Sequence, residues 1–438
     1  MSYRERLGRR MATAGRPVRI GLAGAGQMGT GLVAQVERMT GMEVAAIADV
    51  QPDRAAAAFG RAGVADVLSG SDPGRLGEAV HSGRRVAVPD ARLLSALPVD
   101  VVVEATGVPE VGAEVAFGAL LAGKDVVLLN VECDITVGYL LAVLARRGGQ
   151  VYTVARGDEP TETKRLVDYA RDLTFEVVCA GKGKNNPMDP TATPASLAAE
   201  AERKHMNPKM LCSFVDGSKA MIEMAALANA TGLEVSRRGM YGPRSTVPQL
   251  AEVFRPQADG GVLDRSGVVD YCTGPVAPGV FVTVRTDDRT VADEMSYLGM
   301  GPGPYFALYR PYHLASLEAP LSVAEAVLDR TPSLQPVAWM AEVCAAAKRP
   351  LRPGDVLDGI GGTTVYGMIE AAPVATKEGL VPMGLLSGAR VLRDLPQGAV
   401  LTADDVEVDR SSTIAVLRKL QDRLLAGEAV DLGASRAA

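Results

Sequence analysis

The chain is poor in the residues that build metal centres and covalent frameworks. Its 438 residues hold three histidines (His81, His205 and His313) and five cysteines (Cys133, Cys179, Cys212, Cys272 and Cys344). No C-x-x-C pair and no H-x-x-x-H occurs, which excludes the usual structural zinc sites. A chain of this length builds its core without disulfide staples, so the cysteines are expected as reduced thiols in a cytosol. An excess of basic residues is also lacking: 46 Lys and Arg stand against 52 Asp and Glu, a net charge of −6. That is the wrong sign for a partner with a phosphate backbone. No apolar run approaches the roughly eighteen residues of a membrane span. The basic stretch 1–16 leads into a glycine-rich turn and not into the apolar region of a secretory signal. These absences point to a soluble, cytoplasmic protein with no nucleic-acid and no membrane partner, acting on a small molecule. No internal repeat or low-complexity tract is present.

What is present begins with short apolar runs separated by helix-like segments. The runs are Val18–Ala23, Val44–Ala48, Asp100–Val103, Asp125–Leu129 and Gln150–Val154. Continuous Val/Ile/Leu runs of this kind read as a parallel sheet covered on both faces, an α/β doubly wound domain. After Gly157 the pattern changes. A helix over Glu162–Asp172 and a strand over Phe175–Ala180 are followed by a polar, proline-rich loop, Gly181–Pro194. A long helix over Ser213–Thr231, ending at Gly232, comes next, and then strands around Val268–Thr273, Gly279–Arg285 and Tyr305–Tyr312. This mixture suits an α+β substrate domain. The last hundred residues read as short β pieces around Gly/Pro turns, closed by an amphipathic helix over Ser411–Leu425. The expected boundaries are 1–156, 157–335 and 336–438.

The clearest motif is Gly24-Ala25-Gly26-Gln27-Met28-Gly29, directly after the first strand and opening a helix. Gly24 permits the tight turn, Gly26 lets a pyrophosphate approach the backbone, and Gly29 lets the helix pack on the strand. The helix N-terminus then offers N–H donors and a positive dipole end. Asp49 closes the second strand, twenty residues past Gly29, where an acid accepts from ribose hydroxyls and repels a 2′-phosphate. NAD is therefore favoured over NADP, although Arg54 lies near enough to complicate the choice. Thr106 and Gly107, after the strand ending at Glu104, are expected where the nicotinamide end passes.

Reducing a carbonyl needs an acid near its oxygen. Lys182 and Lys184 close the run FEVVCAGKGK, on one face if the strand continues. Gly181 and Gly183, one before each lysine, are expected to let a ligand come close. The helix carries Ser213, Asp216 and Lys219 at spacings that share a face, and Lys209 precedes it. These give Lys182, Lys184, Lys209, Asp216 and Lys219 as candidate catalytic and substrate-shaping residues, with a surface ion pair as the alternative for Asp216 and Lys219. Glu132, Asp158 and Glu159, at neighbouring strand ends, could hold Mg²⁺ or Mn²⁺ through oxygen ligands. Tyr309-Arg310-Pro311-Tyr312-His313 is either an anion clamp or edge packing.

The order GAGQMG, IAD, VVVEATG, AGKDVVLLNVE, GDEP, FEVVCAGKGK, NPKM, DGSK, YRPYHL and then a SAF-type tail resembles the homoserine-dehydrogenase-like oxidoreductases with a C-terminal SAF domain. One branch of these is the 1-deoxy-D-xylulose 5-phosphate reductoisomerase-like proteins. The resemblance spans nearly the whole chain. It implies a Rossmann cofactor domain binding NAD or NADP, a central α+β catalytic and dimerisation domain, and a small β-rich SAF-like domain. It also implies a homo-oligomer, dimer or tetramer. Two departures are visible: homoserine dehydrogenases carry an Asn-Lys pair where this chain has Asn130-Val131-Glu132, and Asp49 disfavours the NADPH of the reductoisomerases. The expected activity is NAD(P)-dependent interconversion of a carbonyl and an alcohol on a small, polar, anionic polyol or sugar phosphate. A metal-dependent reductoisomerase and a non-catalytic dinucleotide or sugar sensor are the alternatives.

Overall fold

The computed structural model describes residues 1–186 and 188–429. The end of the expected third domain, 430–438, and Pro187 of the expected polar loop lie outside the described residues. The chain forms two compact units. The first comprises 1–158, 314–335 and the C-terminal stretch from 412. The second comprises 159–313 and 336–411.

The first unit opens with α1 (Tyr3–Ala14), an amphipathic helix capped reciprocally by Ser2 and Glu5, with Leu7 buried. Seven strands follow: β1 (Val18–Ala23), β2 (Met42–Ala48), β3 (Val67–Ser69), β4 (Arg85–Val88), β5 (Val101–Glu104), β6 (Asp125–Leu128) and β7 (Tyr152–Val154). Helices α2 (Gln27–Val36), α3 (Pro52–Arg61), α4 (Pro73–His81), α5 (Pro109–Leu121) and α6 (Val131–Gly148) connect them. The sheet order is β3-β4-β2-β1-β5-β6-β7, and every pairing is parallel. This is the expected Rossmann-like sheet. Strands β3 and β4 were not among the expected runs; β3 is a partly exposed strand at the sheet edge. Strands β1, β5 and β6 are buried throughout, as a sheet covered on both faces requires.

The second unit begins with α7 (Glu159–Asp172) and β8 (Glu176–Lys184). Helices α8 (Ala198–Arg203), α9 (Pro208–Val215), α10 (Ser218–Thr231) and α11 (Leu250–Val253) come next. Strands β9 (Val268–Thr273), β10 (Val280–Arg285) and β11 (Tyr305–Arg310) complete a mixed sheet in the order β11-β10-β8-β9, with α12 (Arg289–Tyr297) between β10 and β11. The expected long helix is two helices. Gly217 takes a left-handed φ of 91°, and the Asp216 carboxylate accepts the Ser218 N–H at 2.8 Å to start α10 afresh.

The chain re-enters the first unit with α13 (Ala315–Ala324), which packs on α2. It then adds to the second unit an antiparallel pair, β12 (Ala341–Ala347) and β13 (Val365–Ala371), then α14 (Ala372–Lys377) and a second pair, β14 (Arg390–Val391) and β15 (Val406–Glu407). The last helix, α15 (Thr413–Leu425), packs on α5 and α6 of the first unit. Among the described residues, no helix is long and apolar enough to cross a membrane.

Buried Asn229 of α10 fastens β12 to the rest of the second unit. Its Oδ1 accepts the Met340 and Ala341 N–H groups at 2.7 and 2.9 Å, and its Nδ2 donates to the Ala341 carbonyl at 3.2 Å. Asn229→Ala leaves two buried donors without that acceptor, so it should destabilise the second unit by about 2 kcal/mol. Urea unfolding followed by circular dichroism checks this; an unchanged midpoint would show that the fastening contributes nothing.

Candidate functional site

In the first unit the sheet order reverses between β1 and β5, which opens a crevice at their carboxyl ends. The glycine-rich turn sits there for three separate reasons. Gly24 has a φ of 96°, and a Cβ on it would stand 3.0 Å from the Ala105 carbonyl. On Gly29 a Cβ would fall 2.0 Å from the Gly24 oxygen, so the third glycine is what lets α2 start against β1. Gly26 differs: nothing lies within 4 Å of its Cβ position. No protein atom demands a glycine there. Gly26 also caps α2 without any side-chain hydrogen bond, so no capping side chain takes up the first-turn N–H groups.

Asp49 is half-buried and fixes this turn. One of its carboxylate oxygens accepts the Ala25 N–H and the other the Gln51 N–H, both at 2.9 Å. Across the crevice, the Thr106 N–H donates to Glu104 Oε1 at 2.8 Å, and the Thr106 hydroxyl bonds the same oxygen. Gly107 follows with a φ of 68°. Glu104 is fully buried, and that burial pushes its carboxyl up to about 7 against the hydrogen bonds from Thr106 and Asn130. Asn130 caps α6 through the Cys133 N–H, and Glu132 lies in the first turn of the same helix.

In the second unit β8 runs on through Lys184, with Lys182 opposite Tyr271 and Lys184 opposite Thr273 of β9. Both lysines are therefore strand residues on one face, and both are buried. The glycines between them do something other than admit a ligand. A Cβ on Gly181 would meet the Asp270 carbonyl at 2.1 Å, and one on Gly183 the Ala277 nitrogen at 2.2 Å. They make room for the protein's own backbone on the opposite face.

The lysine face is covered by α7, and α10 packs on α7. Lys182 Nζ donates to Glu159 Oε1 at 2.7 Å and also to Glu223 of α10. His313 Nε2 lies 3.3 Å from the same Glu159 oxygen. Burial works against a charged Glu159, but Lys182, His313 and Lys219 outweigh it and hold the carboxyl below its ordinary range. Lys182 is buried too, yet Glu159 and Glu223 push its ammonium above the ordinary lysine value. It is a fixed positive charge. Lys184 moves the other way: burial and the neighbouring Lys182 bring it down to about 8, with Asp216 opposing. Its Nζ donates to the Asn186 carbonyl at 2.5 Å.

Asp216 is buried against Lys348, whose Nζ lies 2.7 Å from it and also donates to the Ala192 and Gly362 carbonyls. Lys209 is exposed and its Nζ donates to the Asp358 carbonyl at 2.6 Å. Arg310 pairs with Glu162 and lies over the Tyr312 ring at 4.6 Å. Of the sequence candidates, then, Lys182, Lys184, Lys219 and Glu159 gather in one charged cluster, with Asp216 acting on Lys184. Lys209 is engaged elsewhere. Of the three carboxylates expected to bind a metal, Glu132 and Asp158 belong to the first unit and Glu159 to the second. Sequence reasoning missed Glu223, and held His313 only as the end of the Tyr309–His313 segment. Glu223 had a signal: it is the only charged residue in the apolar stretch Ala220–Thr231.

Residues 157–319 match the protein-family model described as "Oxidoreductase DRL, catalytic domain". Residues 342–407 match the SAF domain model, in agreement with the expected SAF-type segment. No curated protein matches the chain. Distant likeness to solved structures includes a probable dehydrogenase from Thermotoga maritima, at 16% identity and a TM-score of 0.42, covering 73% of this chain and 91% of that one. Scyllo-inositol dehydrogenase from Lactobacillus casei, solved with NAD(H) and scyllo-inositol, has 13% identity and a TM-score of 0.37, with coverage of 61% and 74%. The 1-deoxy-D-xylulose 5-phosphate reductoisomerase from Zymomonas mobilis, in complex with NADPH, has 19% identity and a TM-score of 0.34, with coverage of 48% and 57%.

The raised Glu104 carboxyl has a thermal consequence. Its folded value, about 7, lies above the ordinary 4.5. The fold therefore favours the protonated form, and the associated stability is complete below the ordinary value and lost as pH rises through 7. Glu104→Gln, which keeps a neutral polar group there, should flatten the decline in melting temperature between pH 5 and 8. A variant that declines as steeply as the parent would remove Glu104 from the pH response.

Proposed function

We propose that this chain is a pyridine-nucleotide-dependent oxidoreductase that interconverts a carbonyl and an alcohol on a small, polar, anionic substrate of the polyol or sugar-phosphate class. The observation that carries the reading is the uncapped start of α2, with open space at Gly26 and Asp49 pinned beside it. The oxidoreductase family match over 157–319 supports it. Gly24, Gly26, Gln27, Met28 and Gly29 would cradle the pyrophosphate. Asp49 would accept from the ribose hydroxyls with the lone pairs its two backbone bonds leave over, which favours NAD over NADP. Thr106 and Gly107 would border the nicotinamide end.

A bound nicotinamide supplies or takes up the hydride. The rest is asked of the second unit's own residues. Lys182, charged at every physiological pH, orients the substrate oxygen and stabilises negative charge developing on it. Glu159 and Glu223 hold that ammonium in place. Lys184, near its midpoint around pH 8, gives the oxygen its proton in reduction and takes it back in oxidation. Lys219 and Asp216 shape the surrounding field.

The reductoisomerase alternative requires a divalent ion. Asp158, Glu159 and Glu223 offer carboxylate oxygens within 4.8 Å of one another, two of the three being sequence candidates for a metal. Glu159 and Glu223 already share the Lys182 ammonium, a competing cation that favours the oxidoreductase reading without a metal. Full turnover should survive EDTA; a rate restored only by Mg²⁺ or Mn²⁺ would support the reductoisomerase.

Two measurements test the main reading. Titration with NADH and NADPH, followed by nicotinamide fluorescence, should show binding with NADH preferred. Gly26→Val should abolish that binding while the circular dichroism spectrum stays unchanged. Lys182→Ala should lower turnover of reduced coenzyme across an aldose, ketose and sugar-phosphate panel by about 10²–10⁴-fold with little effect on coenzyme affinity. Absence of binding to either coenzyme would overturn the assignment.

A further inference from the structure

The crevice of the first unit has two lips, and an acid fixes each. Asp49 pins the glycine-turn side through the Ala25 and Gln51 N–H groups. On the β5 side the acid is Glu104, the last residue of that strand and fully buried. A carboxyl out of water is costly unless its hydrogen bonds answer a need there. Glu104 makes no ion pair among the described residues; its side chain bonds Thr106 and Asn130, the residues that hold the turn after it. Oε1 accepts the Thr106 N–H at 2.8 Å and also the Thr106 hydroxyl. That hydroxyl oxygen in turn accepts the Val108 N–H at 3.3 Å. Asn130, itself fully buried, donates from Nδ2 to the Val108 carbonyl at 3.0 Å. Both ends of 105–108 are thus tied to buried side chains, while Gly107 and Val108 stay exposed. The turn stands against the glycine loop: a Cβ on Gly24 would meet the Ala105 carbonyl at 3.0 Å and the Thr106 nitrogen at 3.2 Å.

A dinucleotide lies across the reversal of strand order, with one half on each side. Asp49 then falls on the adenosine side and the 105–108 turn on the nicotinamide side. We propose that Glu104 is a positioning residue for the nicotinamide half of the coenzyme: it touches no ligand, but together with Asn130 it holds the 105–108 turn in the one conformation against which that half lies. A turn without these ties samples several backbone states, and a ligand that binds one of them loses affinity in proportion to the share that state has lost. Glu104 rests here on the coenzyme reading of the crevice and adds a division of labour to it. Asp49 serves the half common to adenine nucleotides, and Glu104 the half that carries the hydride.

The test compares two ligands on the full chain. NADH, followed by nicotinamide fluorescence, has both halves; ADP, followed by calorimetry, keeps the adenosine and both phosphates but lacks the nicotinamide riboside. Glu104→Leu removes the acceptor and should weaken NADH about tenfold, with ADP changed by less than about twofold. Glu104→Gln keeps an oxygen for the Thr106 groups and should return NADH close to the parental affinity. Asn130→Ser keeps a capping oxygen for α6 but is too short to reach Val108. It should therefore show the Glu104→Leu pattern at smaller amplitude, and it carries the test where Glu104→Leu does not fold. Asp49→Ala should weaken both ligands alike. An acid that only supports the fold moves both ligands or neither. Equal losses of NADH and ADP in Glu104→Leu and Asn130→Ser, or no loss of NADH in either, would overturn the proposal and leave the coenzyme reading standing. A parent protein that binds neither ligand overturns both.

Discussion

Lys182 and Glu223 are buried and Glu159 is largely so, and none of the three charges would sit there alone. A lone ionised group taken out of water costs several kcal/mol even after relaxation, and removing one partner of a buried pair typically costs about 3–5 kcal/mol. The arrangement therefore ties α7, β8 and α10 to one another, because each contributes one member. It also decides the chemistry nearby. A lysine held by two acids keeps its proton, whereas burial and the neighbouring Lys182 push Lys184 the other way.

The first unit applies a different constraint, the closeness of backbone to backbone. Gly24 and Gly29 are glycines because the protein's own atoms fill the space where a side chain would be, whereas Gly26 faces nothing. Gly181 and Gly183 in the second unit belong to the first kind. A glycine-rich segment thus separates into positions that packing requires to be glycine and positions that it leaves open.

The Rossmann-like half was legible because its signals are local. Apolar runs, the glycine turn and the acid after the second strand each lie within a few residues of what they specify. Strands β3 and β4 were not; β3 is an edge strand with no fully buried residue, so it lacks the apolar run that marked the others. The lysine strand was legible as far as its spacing, but the partners of Lys182 were not, since Glu159 and Glu223 lie 23 and 41 residues away. Glu223 stood out only as an acid in an apolar helix. Lys348, which meets Asp216, had no sequence signal at all: its role comes from β12 joining the second unit. The break at Gly217 was hidden by the apolar continuity on either side of it. Gly157, whose Cβ would meet the Leu314 carbonyl at 2.7 Å, marks where the chain leaves the first unit beside the point of its return.

That return has a consequence for biosynthesis. The first unit draws on 314–335 and on α15 near the C-terminus, so its packing is unfinished while those residues remain inside the ribosome. α13, which covers α2 directly after the glycine turn, is translated about three hundred residues later than the helix it packs on. Neither half can be cut out as an uninterrupted stretch of gene, and a nonsense mutation between 411 and α15 strips a helix from the first unit, not from the half translated just before it.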